Sequence, residues 1–305
     1  MDFVEPLVDG PSAFAAIRSS ISSARMSIQL EMYEFQQEAL ATQLIQARTR
    51  GVSIVAIMDP SEASSQSTWD ELRQAGIPVV AFPIEPRSID HVKLLIVDGR
   101  LAIIGGINWG VNSPLNRDYD VLVTGPVVQN LEQVFAADLQ MSGITTPLPP
   151  LSPDPLIRVL VSRPQQAIAD GVVAAVNAAH RFVDIEMYVL SDQAVIDALV
   201  RASLRGLRVR VLLDPNQPQN LDALKLLQAV HAEVRLFPVK AQQKLHAKLG
   251  VFDGQFVVFG SCNWSRSGFY YNHELDLAIR DLQVATIFEQ SIERDWAIAR
   301  NGRND

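Results

Sequence analysis

KLHAKLGVFDGQFVVFGSCNWS, residues 244–265, sets His246 and Lys248 at the entrance of an apolar run that breaks at Asp253-Gly254. DHVKLLIVDGRLAIIGGINWG, residues 90–110, repeats the pattern. His91, Lys93, Asp98, Asn108 and Trp109 recur as His246, Lys248, Asp253, Asn263 and Trp264, each pair 155 residues apart. The same offset relates Glu31-Met32-Tyr33 to Glu186-Met187-Tyr188, Asp59-Pro60 to Asp214-Pro215, and Phe82-Pro83 to Phe237-Pro238. A constant offset over this distance means one fold written twice.

Each half alternates in type. In the second, residues 167–180, 192–206 and 221–230 have helical period, whereas 182–190, 207–214 and 233–238 are short and rich in β-branched residues. Asp253-Gly254 joins two further strands as a hairpin, and Asp98-Gly99 does the same in the first half. The pattern predicts an α/β protein: two tandem α/β/α sandwich domains related by a pseudo-twofold axis. TTPLPPLSPDPL, residues 145–156, holds five prolines and can propagate neither a helix nor a central strand. It reads as the linker between a first domain, 1–144, and a second, 157–305.

The 305 residues are enough for two cores, and 48% hydrophobic with 20% charged residues suits a globular protein. No apolar run reaches the length of a membrane span. The first ten residues carry acids and no basic segment, so no secretory signal is expected and the cytoplasm is the default. The single cysteine, Cys262, excludes an internal disulfide and a multi-cysteine metal site. The net charge of −8 falls on residues 1–150, with 9 Lys+Arg against 17 Asp+Glu; the remainder holds 17 of each. A basic excess of the kind that grips nucleic acid non-specifically is missing.

In a strand, residues i and i+2 share a face, so His91 points with Lys93 and His246 with Lys248. The hairpins bring Asn108 and Asn263 back beside them. If the halves pack about a twofold, one pocket holds two histidines, two lysines and two amides. That set suits a phosphodiester: the lysines and amides neutralise the non-bridging oxygens, one imidazole attacks phosphorus, and the other protonates the leaving oxygen.

H-x-K-x4-D followed by G-[GS]-x-N resembles the signature of the phospholipase D superfamily, and both copies match it. The resemblance implies the phospholipase D fold, a phosphohistidine intermediate, no metal or other cofactor, and one active site shared by both copies. His91, Lys93, Asp98, His246, Lys248 and Asp253 form the implied catalytic set, Asp98 and Asp253 in a structural role within turns. Asn108, Asn263 and the hydroxyl of Ser261 are implied to bind phosphate; Gly106 stands where Ser261 would recur. Asp118 and Glu274 take the place of the acid that holds each histidine by its far nitrogen. Gly105-Gly106-Ile107-Asn108 is similar to the cardiolipin-synthase-like branch, whereas the second copy looks more like nuclease-type members.

The expected activity is a phospholipase D-type phosphodiesterase or phosphatidyltransferase acting on phospholipids, with His91 as nucleophile and His246 as acid. A metal-independent nuclease on DNA or RNA is the alternative, and a non-catalytic phosphate-binding scaffold the third reading. Two motif copies complete a site, so a monomer suffices, with peripheral membrane contact as a possible extra. Among other residues, His273 is expected at the rim of the site, Trp109 and Trp264 in packing, and RASLRGLRVR (201–210) on a solvated face. Glu31 and Glu186 either line the pocket or pair with a basic residue.

Overall fold

The computed structural model of the chain describes residues 3–301. Residues 1–2 and 302–305 of the two expected domains lie outside the described residues. In the first half the order is β1 (Phe3–Leu7), α1 (Gly10–Ser23), β2 (Ser27–Met32), α2 (Glu38–Thr49), β3 (Ser53–Met58), α3 (Gln66–Gln74), β4 (Val79–Ala81), β5 (Lys93–Val97), β6 (Leu101–Gly105), β7 (Asp120–Thr124) and α4 (Pro126–Met141). The second half repeats it as β8 (Ile157–Val161), α5 (Ala167–Ala178), β9 (Phe182–Met187), α6 (Gln193–Leu204), β10 (Arg208–Leu213), α7 (Leu221–Ala229), β11 (Glu233–Leu236), β12 (Lys248–Phe252), β13 (Phe256–Gly260), a short α8 (Arg266–Tyr270), β14 (Leu275–Ile279) and α9 (Leu282–Ile298), ending in β15 (Arg300–Asn301).

The two sheets run β1-β7-β6-β5-β2-β3-β4 and β8-β14-β13-β12-β9-β10-β11-β15, the same order with one added edge strand. Strands joined by helices, β2-β3-β4 and β9-β10-β11, pair in parallel, as crossover connections require. The hairpins β5-β6 and β12-β13 are antiparallel. An α/β architecture in two repeated units is what the residue pattern predicts. The sequence reading did not assign the outer strands β1 and β8. Val4 to Leu7 alternate weakly and their pairing with β7 is long-range.

Three apolar clusters organise the described residues. Ile17, Leu44 and Leu72 of α1, α2 and α3 pack on the outer face of the first sheet. Val172, Leu199 and Leu227 of α5, α6 and α7 do so on the second. The third cluster is shared: Leu94 and Val121 of one sheet, Leu249 and Leu277 of the other, and the apolar faces of α4 and α9 (Phe135, Phe288) form one continuous core between the halves. Burial of this shared core couples the halves, since about 25 cal/mol is gained per Å² of apolar surface removed from water. Residues 145–154 carry no regular structure and lie along α4, where Asn130 exchanges hydrogen bonds with the backbone of Ser152 and Gln133 donates to the carbonyl of Pro149.

At the far end of each hairpin, Asp98 (φ 56°) and Gly99 (60°), like Asp253 (54°) and Gly254 (70°), are left-handed. The carboxylate of Asp98 accepts from the backbone N–H groups of Arg25, Met26 and Ser27; that of Asp253 accepts from His180, Arg181 and Phe182. Both motif aspartates therefore tie the hairpin tip to the start of the neighbouring strand. They stand across the whole length of β5 and β12 from the histidines. The resemblance grouped them with the catalytic set; their position makes them structural. Partial burial raises the pKa of Asp98, but the backbone donors outweigh it and hold the pKa below the ordinary carboxylate value. A carboxylate with a depressed folded-state pKa adds stability above its unfolded pKa of about 3.9 that is lost as pH falls through the folded value. Asp98→Asn should therefore cost about 1–3 kcal/mol at pH 7 in urea unfolding and markedly less near pH 3.

Candidate active site

Lys93 and Lys248 open β5 and β12, and each is buried (3% and 1% exposed). Two residues earlier the chain runs into the opposite half. The N–H of His91 donates to the carbonyl of His273 at 2.8 Å and the N–H of His273 returns to Ile89 at 2.8 Å. Reciprocally, His246 donates to Arg117 at 2.8 Å and Arg117 to Lys244 at 2.9 Å. Asp59 and Asp214, at the ends of β3 and β10, hold these segments by accepting from the N–H of Asp90 (2.6 Å) and of Leu245 (2.8 Å). The duplicated Asp-Pro pair was the signal for these two acids, but its spacing alone did not say what they grip.

The side chains cross as the backbones do. His91 Nδ1 is 2.8 Å from Glu274 Oε2, and His246 Nδ1 is 2.6 Å from Asp118 Oδ2. Each acid thus serves the histidine of the other half. Sequence spacing does not show this crossing, which is a product of how the halves dock. All four residues are buried, His91 and His246 each at 6% exposure. Tyr33 and Tyr188, from the repeated Glu-Met-Tyr, flank the rings with centroids at 5.1 and 4.9 Å, and lie 5.3 Å from the Lys93 and Lys248 ammonium groups.

The two halves of the site are not chemically equal. Glu274 also accepts from Ser261 Oγ (2.6 Å) and Asn272 Nδ2 (3.0 Å). Ser261 accepts in turn from the N–H of Leu275 at 3.0 Å. Its hydroxyl is committed to the acid, so the expected phosphate-binding role gives way to one of positioning Glu274. In the other half a Cβ on Gly106 would lie 2.3 Å from Asp118 Oδ1. Glycine is required there because the shorter acid folds back into the space. Asn108 and Asn263 follow β6 and β13, and the Oδ1 of each has no hydrogen-bond partner among the described residues. A cavity of about 320 Å³ adjoins through Glu34 and Lys244 and is lined by the amides of Asn112, Asn116 and Asn216.

Burial lowers the pKa of both lysines, Lys93 to about 7 and Lys248 to about 8. Burial, then the charge of Lys248, pushes His246 to about 3; burial also lowers His91, against the pull of Glu274. Burial works to raise Glu274, yet His91, Lys93 and its hydrogen bonds bring it below its usual value. The site is therefore dehydrated, and its lysines and imidazoles resist charge until an anion brings the opposite charge to them.

Other expectations divide. Trp109 and Trp264 are buried packing residues. Glu31 and Glu186 lie buried on the face toward the shared core, not in the pocket. Glu186 accepts from Tyr119 Oη at 2.6 Å, and Glu31 faces His273 at 3.9 Å. His273, expected at the rim, is buried (5% exposed) and stacks on Phe82 with centroids at 4.7 Å. Arg210, expected on a solvated face, is buried and forked onto Asp184 at 2.9 and 2.7 Å. Cys262 is buried, and burial raises its thiol pKa well above the ordinary value. No helix among the described residues is long and apolar enough to cross a membrane.

A doubled α/β fold whose halves exchange acids across a common imidazole pair defines a two-motif member of one superfamily, and comparison with known proteins agrees. The domain family described as "Cardiolipin synthase, PLD-like domain" matches twice, over residues 17–139 and 172–296. Cardiolipin synthase A of Pseudomonas syringae pv. syringae is 32% identical over 97% of this chain and 69% of its own length. The Pseudomonas aeruginosa PAO1 protein of the same name is 30% identical over 96% and 67%. Among solved structures, phosphatidylserine synthase of Haemophilus influenzae superposes with TM-score 0.76 at 11% identity, covering 98% of this chain and 87% of that one. Polyphosphate kinase of Porphyromonas gingivalis gives 0.67 at 16%, covering 100% and 50%. These two share the fold. The chain belongs to the phospholipase D superfamily, in the cardiolipin synthase PLD-like domain family, and is an enzyme of the phospholipase D type.

The dependence of Asp118 on Gly106 can be tested directly. Gly106→Ser should destabilise the protein by about 1–3 kcal/mol in urea unfolding, whereas the same substitution placed on an Asp118→Ala background should cost little, because the clashing carboxylate is gone.

Proposed function

We propose that the protein is a phosphatidyltransferase that moves a phosphatidyl group from a phospholipid to an alcohol through a phosphohistidine intermediate, in the manner its cardiolipin synthase relatives suggest by name. The crossed imidazole–acid pairs carry this reading. Nδ1 of His91 contacts a single acceptor, Glu274, so the proton sits on Nδ1 and the Nε2 lone pair is free to attack phosphorus. Nδ1 of His246 lies between Asp118 and Lys248 Nζ, the latter at 2.9 Å. Nδ1 donates to the nearer carboxylate of Asp118, which supports an imidazolium whose Nε2 proton can pass to the leaving alkoxide once the anionic phosphodiester offsets the burial that lowers the ring.

In the first step the bond from Nε2 of His91 to phosphorus forms as the bond to the leaving oxygen breaks. His246 gives that oxygen its Nε2 proton and becomes the neutral ring, still held at Nδ1 by Asp118. Lys93, Lys248 and the amides of Asn108 and Asn263 offset charge on the non-bridging oxygens. In the second step an acceptor alcohol gives its proton to His246 and takes phosphorus from His91; water in its place gives hydrolysis. Asp118 and Glu274 fix the rings and support their charged forms, as the aspartate does in a serine-protease triad.

Phosphatidylglycerol vesicles and single-stranded DNA, each incubated with the protein in EDTA, separate the substrates. Transfer or release of lipid headgroup with intact DNA is expected; cleaved DNA with untouched lipid overturns the lipid reading. With a phosphodiester bearing a good leaving group, an acid-labile, base-stable adduct should form in the wild type and in His246→Ala but not in His91→Ala. No adduct in any of the three supports a binding protein instead. Because Lys93 and Lys248 become neutral as pH rises through about 7 and 8, kcat/KM should fall over that range.

A further inference from the structure

Behind His91, on the side facing the shared core, four titratable side chains converge that the reaction does not use. Glu31 projects from β2, Asp138 from α4, and His273 and Asp90 from the segments that cross between the halves. All are buried, at 0%, 2%, 5% and 0% exposure. One ligand-type atom from each of Glu31, Asp138 and His273 lies within 4.8 Å of the other two. His273 Nε2 is 3.1 Å from Asp138 Oδ2 and 3.9 Å from Glu31 Oε1. Both oxygens of Glu31 and Oδ2 of Asp90 make no hydrogen bond among the described residues, and Oδ2 of Asp138 has only its ion-pair contact with His273.

The duplication supplies an internal control. The bridge Asp90–His273 is mirrored by Leu245–Arg117, so Arg117 stands where His273 does. Glu186 mirrors Glu31, and Asp295 of α9 mirrors Asp138 of α4. In that half the guanidinium of Arg117 fills the space, donating to Asp295, to Ser291 Oγ, to the carbonyl of Val8 and to Tyr119 Oη, which passes a hydrogen bond on to Glu186. One carboxylate pair therefore has a permanent cation and two hydroxyls. The other has an imidazole, an additional carboxyl from Asp90, and unpartnered oxygens. Burying carboxylates without full compensation is costly, and this half lacks the permanent cation that its mirror holds.

We propose that Glu31, Asp138 and His273, with Asp90 at the edge, form a structural site for a divalent transition metal of the zinc or manganese type. Mixed imidazole and carboxylate donors suit such ions. Two ligands at about 2.0–2.1 Å on a tetrahedral ion stand about 3.3 Å apart, and the 3.1 and 3.9 Å separations bracket that distance. The stacking of Phe82 on the imidazole fixes the ring plane. The ion would tie β2, α4 and the crossing segment together directly beneath the His91 backbone. It takes no part in the chemistry at phosphorus and does not depend on the identity of the substrate.

A site this enclosed binds as the chain folds, so it is tested on protein unfolded in EDTA and refolded with or without Zn²⁺ or Mn²⁺. Elemental analysis after exhaustive dialysis should give about one ion per chain in the wild type. Glu31→Gln and His273→Phe should each bring that to background, and metal-refolded wild type should melt several degrees above the metal-free form. The competing arrangement shares protons among the carboxyls, and Glu31→Gln separates the two. It imitates a protonated glutamate, so a proton-sharing cluster leaves its melting temperature at the wild-type value. Wild type without bound metal after refolding in either ion overturns the proposal. So does metal retained by both variants.

Discussion

His91 and His246 are each held by an acid from the other half. That exchange, Glu274 to His91 and Asp118 to His246, sets the rest of the structure. It requires the segments before β5 and β12 to cross, each pairing its backbone with the partner's post-hairpin loop. It requires a dry interface between two sheets, supplied by α4 and α9. It also explains why the fold is doubled: one half presents an imidazole and an ammonium but keeps its acid for its twin.

The duplication is near-symmetric in backbone and asymmetric in chemistry, and the differences are linked. Gly106 accompanies the short Asp118, and Ser261 accompanies the longer Glu274. Arg117 in one half meets His273 in the other, so one carboxylate pair is held by a permanent charge and its mirror by a titratable ring. Burial lowers both active-site lysines, leaving them close to neutrality and ready to respond to an incoming anion. Two near-copies of one residue set thus sit in two different chemical environments.

Much of this was legible in the residues. The 155-residue offset, the alternation of helical and strand periods, and the Asp-Gly turns predicted two repeated α/β units, because each signal is local and survives in sequence. The pairing of His91 with Lys93 and of His246 with Lys248 was expected from strand spacing, and the return of Asn108 and Asn263 from the hairpins. What escaped was set by docking. The partner of each acid and the burial of His273 depend on contacts between the two halves, whereas the burial of Arg210 against Asp184 and the commitment of the Ser261 hydroxyl depend on which strands lie side by side in the second sheet. A one-residue slip in the repeat between Asn116 and Asn272 places Arg117 opposite His273, and no local pattern shows what either touches.

A double-mutant cycle in urea unfolding tests the crossed pairing most directly. His91→Ala and Glu274→Gln, alone and together, should show a coupling of about 1–3 kcal/mol, with His91→Ala and Asp118→Asn nearly additive. Strong coupling of His91 to Asp118 in its own half, and none to Glu274, would contradict the account.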